Sequence, residues 1–195
     1  MKLFKPKFWD KKIGLISVLL FPLSLITVLI VFIKKKFIKK NIFNIPIICV
    51  GNIYVGGTGK TPTSILLANE ITKLDKRPVI LRKFYKNHQD EYELIKNNFK
   101  NFISSKNRFE AIKKIEDSEF NVVILDDGLQ DYKIKKNLNI VCFNQNQLVG
   151  NGLILPSGPL RESLSSLKDI EIVIINGMKN KDFEDKILNI NKNLK

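Results

Sequence analysis

"VGNIYVGGTGKTPT", residues 50–63, is the stretch whose reading decides the fold. An apolar run, "IPIICV" at 45–50, leads into it, and its glycine-rich centre closes on Gly59-Lys60-Thr61. A strand, a glycine-rich turn, Lys-Thr and then a helix form the context in which consecutive backbone N–H groups curl around phosphate oxygens. Gly56, Gly57, Thr58 and Gly59 supply the turn, Lys60 is placed to reach β- and γ-phosphates, and Thr61 offers a hydroxyl to Mg²⁺. Pro62 suits the first helical turn, where N–H groups lack intrahelical partners in any case. The general phosphate-loop pattern has glycine where this chain has Tyr54, a departure at the loop's entrance rather than among the donors. The ligand this implies is ATP with Mg²⁺.

Outward from the loop, short β-rich runs alternate with helical patterns. Strands are predicted at 45–50, 77–82, 120–127, 138–143 and 170–176, and helices at 60–74, 90–98, 107–117 and 182–190. That alternation argues for an α/β fold, a three-layer, mostly parallel sheet of the P-loop NTPase type covered on both faces. Residues 144–159 form a long connection, either a functional loop or the host of a short element. Within "VVILDDGLQ", Asp126 and Asp127 end a buried strand expected beside the phosphate-loop strand, where one carboxylate of the pair, Asp126 or Asp127, is placed to hold Mg²⁺ or its water shell, unless the pair only opens an exposed turn. Phosphorylating an alcohol also requires a group to orient the acceptor. "HQDEYELI" places His88, the chain's one histidine, with Asp90 and Glu91 at the sheet edge where ligands bind; Asp90 reads equally as the N-cap of the next helix. Arg108, Lys133, Arg161 and the lysines near 34–40 are able to meet substrate phosphate or phospholipid headgroups, or to be surface charge.

Upstream, residues 13–33 are 21 uncharged residues, roughly 31 Å as a helix and enough to cross a hydrocarbon core. Lysines flank the stretch on both sides, Trp9 sits where an interfacial ring belongs, and Pro22 is expected to kink the helix. The distal flank is strongly basic and no small-x-small site follows, so a membrane anchor is favoured over a signal peptide, with the rest of the chain on the cytoplasmic side of the membrane. Residues 1–40 are thus expected to be the anchor and 41–195 the P-loop domain. The anchor also explains the net charge of +14, since ten lysines and one aspartate in residues 1–40 contribute +9 of it. The remainder has no Arg-rich tract or aromatic ladder, so nucleic acid is not an expected partner. Cys49 and Cys142, inside apolar runs, read as buried thiols.

These residues resemble, in order along the chain, the tetraacyldisaccharide 4'-kinase (lipid A 4'-kinase) family. "VGNIYVGGTGKTP" is similar to the family's phosphate loop, which also lacks glycine at the place of Tyr54. "LLFPLSLI" is similar to its membrane segment, "DEYELI" to its Asp-Glu block, "NRFEA" to its short Arg-containing stretch and "VVILDDGLQ" to its Asp-Asp-Gly block. "GNGLILPSGPLRE", residues 150–162, is the most specific likeness, because no generic phosphate-loop enzyme requires it. The resemblance spans about residues 9–176. It implies ATP-dependent phosphorylation of the 4'-hydroxyl of a tetraacylated glucosamine disaccharide 1-phosphate at a phospholipid membrane surface. It implies Lys60 and Thr61 for ATP and Mg²⁺, Asp90 for activating the sugar hydroxyl, Asp126 and Asp127 for metal and catalytic electrostatics, and residues 158–161 for the substrate side.

The chain departs from the family pattern in having Asp131 in place of a histidine and Arg82-Lys83-Phe84-Tyr85 in place of a Ser-Arg-Gly-Tyr segment. Family chains also run well beyond Lys195, so the C-terminal region, with a histidine block that supports the catalytic aspartate, is expected to be missing. The expected alternatives are a membrane-anchored nucleotide switch or ATPase and a catalytically inactive homologue. Neither demands the 150–162 motif.

Overall fold

The computed structural model describes residues 5–195; the first four residues of the expected anchor lie outside the described residues. Its centre is a parallel sheet of six strands, β1 (Ile47–Gly51), β2 (Pro78–Lys83), β3 (Phe102–Ser105), β4 (Val122–Asp126), β5 (Leu138–Asn144) and β6 (Ile172–Asn176), in the order β3-β2-β4-β1-β5-β6. Val79, Ile80, Leu81, Val123, Ile124 and Leu125 are all fully buried, as a strand covered on both faces requires. One face packs against α2 (Lys60–Thr72) and α3 (Gln89–Asn98) through Ile65, Ala68, Ile80, Ile95 and Ile124. The opposite face packs against α4 (Arg108–Glu116) and α5 (Lys181–Leu188) through Val79, Ile112, Ile115, Phe143 and Phe183. Each fully buried side chain of this size contributes about 1.5–3 kcal/mol of transfer free energy. Asn107 caps α4 by accepting from the Phe109 N–H at 3.1 Å, and Asn180 caps α5 by accepting from the Phe183 N–H at 3.0 Å.

The strands and α-helices lie where the sequence places them, with one strand and two short 3-10 turns added. β3, "FISS", escapes notice because a four-residue edge strand with two serines carries almost no apolar pattern. His88, not Asp90, occupies the N-cap position of α3, so Asp90 lies in the first turn.

The N-terminal helix α1 (Leu15–Phe37) is long and apolar enough to cross a membrane and runs unbroken through Pro22. One stripe of it is docked on the domain. Asn151 Nδ2 donates to Ser17 Oγ at 3.2 Å, Ser24 Oγ donates to the Ile154 carbonyl at 2.8 Å, and Lys35 Nζ pairs with Glu162 at 2.6 Å. These spacings follow the 3.6-residue helical period, and between Ser17 and Lys35 they span roughly 27 Å. The other faces carry exposed Leu15, Leu19, Leu25, Leu29 and Phe32. Trp9 is not an exposed interfacial ring: it is buried, and its indole N–H donates to the Pro156 carbonyl at 3.0 Å. The long connection at 144–159 therefore has a structural role as the seat of the N-terminal segment.

Candidate active site

The phosphate loop leaves β1 at the centre of the sheet. Asn52, buried, donates from Nδ2 to the Gly56 carbonyl at 3.1 Å and to Thr58 Oγ1 at 3.0 Å, which folds the loop back on itself. Gly59 adopts φ +86, and a Cβ there would meet Asn176 Nδ2 at 2.3 Å, so only glycine fits. Asn176, at the end of β6, donates to the Thr58 carbonyl at 2.7 Å. Tyr54 is wholly buried below the loop with its hydroxyl 3.2 Å from Asp10, and the Val55 N–H donates to the Pro159 carbonyl at 2.9 Å. The aromatic residue at this place is thus a packing element joining the loop to residues 5–10 and 159–160.

β4 runs beside β1 with Val50 opposite Asp126, and beside β2 with Arg82 opposite Asp126. That register gathers four side chains. Thr61 Oγ1 donates to Asp126 Oδ2 at 3.1 Å, Ser64 Oγ donates to Asp126 Oδ1 at 3.0 Å, and the Arg82 guanidinium pairs with the same carboxylate. Burial pushes the Asp126 carboxyl up against the pull of Arg82. Burial also disfavours the charged Arg82, but Asp126 and Glu91 outweigh it and raise its pKa.

Asp127 turns the other way. It adopts φ +55 and projects toward Lys60 Nζ at 3.7 Å and Arg161 Nη1 at 3.2 Å. Burial pushes its carboxyl up, yet Lys60, Arg161, Arg82 and Arg108 together hold it below the ordinary aspartate range. Arg108 is no surface charge: it is buried and donates to the Asp126 and Asp127 carbonyls at 2.8 and 2.9 Å, fixing the strand end. A cavity of about 490 Å³ opens beside Asp127, walled by Lys83, Tyr85, Asn107, Arg108, Gln130 and Arg161.

The structure thus brings Lys60, Thr61, Asp126, Asp127 and Arg161 together around the 56–61 loop. Asp90 stands apart, exposed on α3 at the same edge of the sheet. Its neighbour Glu91 makes the inward ion pair with Arg82 and lies 2.6 Å from His88 Nδ1. Arg82, Asn52, Gln130 and Asn176 are not legible as site residues, and Arg108, read as able to meet substrate phosphate, holds two backbone carbonyls of the strand end. For Arg82 the signal lay in a cation closing a strand that had to end beside an aspartate-ended neighbour.

Thr61 Oγ1 and Asp126 Oδ2 are oxygen donors of the kind a hard divalent cation takes, and in this structure Arg82 Nη1 bonds to both of them. The family model described as LpxK, tetraacyldisaccharide-1-P 4'-kinase, matches residues 16–194. The chain belongs to this family. Among its relatives, the tetraacyldisaccharide 4'-kinase of Pelagibacter ubique is 49% identical over 91% of this chain and 56% of its own length. That of Francisella philomiragia is 32% identical over 95% of this chain and 66% of its own length. A crystal structure of LpxK from Aquifex aeolicus in complex with ATP is similar with TM-score 0.71 and 28% identity, covering 83% of this chain and 59% of that one. The chain thus spans a little over half the length of the Pelagibacter relative. Family membership and the apolar helix together mark an inner-membrane-anchored chain with its nucleotide-binding domain on the cytoplasmic side.

Proposed function

We propose that this chain transfers the γ-phosphate of ATP to the 4'-hydroxyl of a tetraacylated glucosamine disaccharide 1-phosphate. The observation that carries the reading is the convergence of Arg161, from the 150–162 motif, with Lys60 of the phosphate loop on one carboxylate, Asp127. A switch or simple ATPase has no use for the 150–162 segment at that position.

In this reading the turn at 56–61 cradles the triphosphate, with Gly56, Gly57, Thr58 and Gly59 presenting N–H groups and Lys60 leaving Asp127 for the β- and γ-phosphates. Thr61 and Asp126 would hold Mg²⁺, which when bound neutralises phosphate charge. Asp127 and Arg161 then border the acceptor cavity, where Arg161 is placed to neutralise charge on the transferred group. Asp90 is the proposed base or acceptor-orienting group. Exposed and in no ion pair among the described residues, it is available to accept a proton, whereas Glu91 is engaged by Arg82 and His88.

The acceptor's acyl chains stay in the bilayer while ATP stays in water, so the site has to stand at the interface. The stripe of α1 contacts from Ser17 to Lys35 supports a helix laid against the domain with its remaining faces in lipid. The domain division, anchor at 1–40 and kinase domain at 41–195, is accordingly a division of roles rather than of packing. Incubating the purified chain with γ-labelled ATP and a lipid disaccharide 1-phosphate tests the function. Label in the lipid supports it, and ATP hydrolysis without lipid labelling favours the switch or ATPase.

A further inference from the structure

A second cavity, of about 320 Å³, lies away from the phosphate loop, at the C-terminal end of α1. Its wall joins Lys35 from α1, Lys40 just beyond the end of α1, Tyr132, Lys135 and Lys136 from the segment after β4, and Ser166 from the 3-10 turn at Leu164–Asp169. The charges on this wall are unevenly matched. Lys35 is committed to Glu162 at 2.6 Å and lies over the Tyr132 ring at 5.7 Å. Lys40 and Lys135 form no ion pair among the described residues, and only Asp169 remains on the wall to offset them. Lys136 is drawn inward, donating to the Leu129 carbonyl at 3.2 Å, and burial, with Arg108 and Lys40 adding, outweighs Cys49 and Asp131 to hold its pKa below the ordinary lysine value.

An independent observation points the same way. Ser166 is 9% exposed, and its Oγ is buried with no hydrogen-bond partner. An unmade hydrogen bond at a buried hydroxyl costs about 1–3 kcal/mol, so its persistence on the wall of a lysine-lined cavity calls for a ligand that accepts from it. The cavity also adjoins the end of a helix whose free faces are apolar, so a ligand here can keep acyl chains in lipid while its head enters.

We propose that this cavity is a phosphate-ester site for a lipid, held by Lys40 and Lys135 and by the Ser166 hydroxyl. Two sources share that chemistry: the phosphodiester of a bilayer phospholipid and the sugar 1-phosphate of the acceptor. The second source rests on the kinase reading, and the first does not.

Calorimetry of the full chain in non-ionic detergent, without nucleotide, separates them. One arm titrates dihexanoyl phosphatidylglycerol below its micellar concentration, the other glucosamine 1-phosphate. The expected result is saturable single-site binding of at least one ligand, weakened about tenfold or more in Ser166→Ala and in the double variant K40Q/K135Q. The charge-matched control K181Q/K186Q, at exposed lysines of α5, is expected to bind like wild type. Because Ser166 Oγ has no partner to lose, S166A should unfold at an unchanged or higher temperature, which separates lost binding from lost structure. Tighter binding of phosphatidylglycerol assigns the bilayer source and tighter binding of glucosamine 1-phosphate the acceptor. Saturation by neither, or equal weakening in the charge-matched control, overturns the site. Neither arm needs turnover, so a chain that binds phosphatidylglycerol but fails to label lipid would lose the kinase reading and keep this one.

Discussion

Arg161 Nη1 donates to Asp127 Oδ1 at 3.2 Å, and this contact ties the segment at 150–162 to the strand end beside the phosphate loop. From there the connection continues outward. Arg161 Nη1 also donates to Gln130 Oε1 at 3.2 Å, Gln130 Nε2 donates to Glu162 Oε1 at 3.0 Å, and Glu162 pairs with Lys35 of α1 at 2.6 Å. A chain of polar contacts thus runs from the membrane helix to the residue facing Lys60.

Arg161→Ala is expected to lower the rate of phosphate transfer on the order of a hundredfold, the scale of losing one charge-stabilising group at a reacting centre. ATP affinity should change far less, because Arg161 touches Asp127 and Gln130 rather than the 56–61 turn. Single-turnover transfer and nucleotide calorimetry on the same preparation check both parts. A fall in ATP affinity matching the fall in rate would place Arg161 on the nucleotide instead.

Arg82→Met leaves the buried Asp126 carboxylate without its cation and should destabilise the chain by about 3–5 kcal/mol in denaturant unfolding. Adding Asp126→Asn should recover part of that loss, because the uncompensated charge goes with it. Additive losses would mean that the two side chains do not share an ion pair.

The pH dependence of stability has a definite sign at Asp127. Its folded pKa is lowered, so its stabilisation is fully present above the unfolded value of about 3.9 and is lost as pH falls through that value toward the folded one. Urea unfolding of wild type and Asp127→Asn should therefore converge below about pH 4 and differ by a constant amount between about pH 5 and 7. A gap that widens on acidification would contradict the assigned partners, Lys60 and Arg161.

Asp90→Asn and Glu91→Gln distinguish the two carboxylates on α3. D90N is expected to slow transfer at saturating ATP with folding unchanged, since the side chain is exposed and in no ion pair among the described residues. E91Q is expected to lower stability, by about 1–3 kcal/mol, because it removes an anion from the Arg82 side chain. Thermal unfolding and single-turnover rates for the pair decide it; equal transfer by wild type and D90N would exclude Asp90 as the base.

Much of this was readable in the chain because local and global signals agree. "IPIICV", "RPVILR" and "FNVVILDD" are apolar runs bounded by turn residues, and each becomes a strand covered on both faces. The phosphate loop and the aspartate pair are each a contiguous run of sequence, so their chemistry shows without tertiary information. What stayed hidden depends on register and packing. Arg82 becomes a site residue only because β2 pairs with β4 with Arg82 opposite Asp126. Arg108 reads as a cation for substrate phosphate or as surface charge, and only the fold puts its guanidinium on two backbone carbonyls. Trp9 and the serines of α1 read as membrane features because their partners, residues 151–157, lie about 130 positions or more away. Asn176 carries no motif, and only the return of β6 beside β5 brings it to the loop.

The central claim is that the 56–61 turn and the 150–162 segment form one phosphotransfer site. Its most direct test is single-turnover transfer of labelled γ-phosphate to a tetraacylated disaccharide 1-phosphate in mixed micelles, comparing wild type with Lys60→Ala and Arg161→Ala at matched ATP occupancy. The account expects label at the 4' position with wild type and a collapse of transfer in both variants. Transfer by K60A and R161A at the wild-type rate, or no lipid labelling by a wild-type chain that binds ATP, would contradict it.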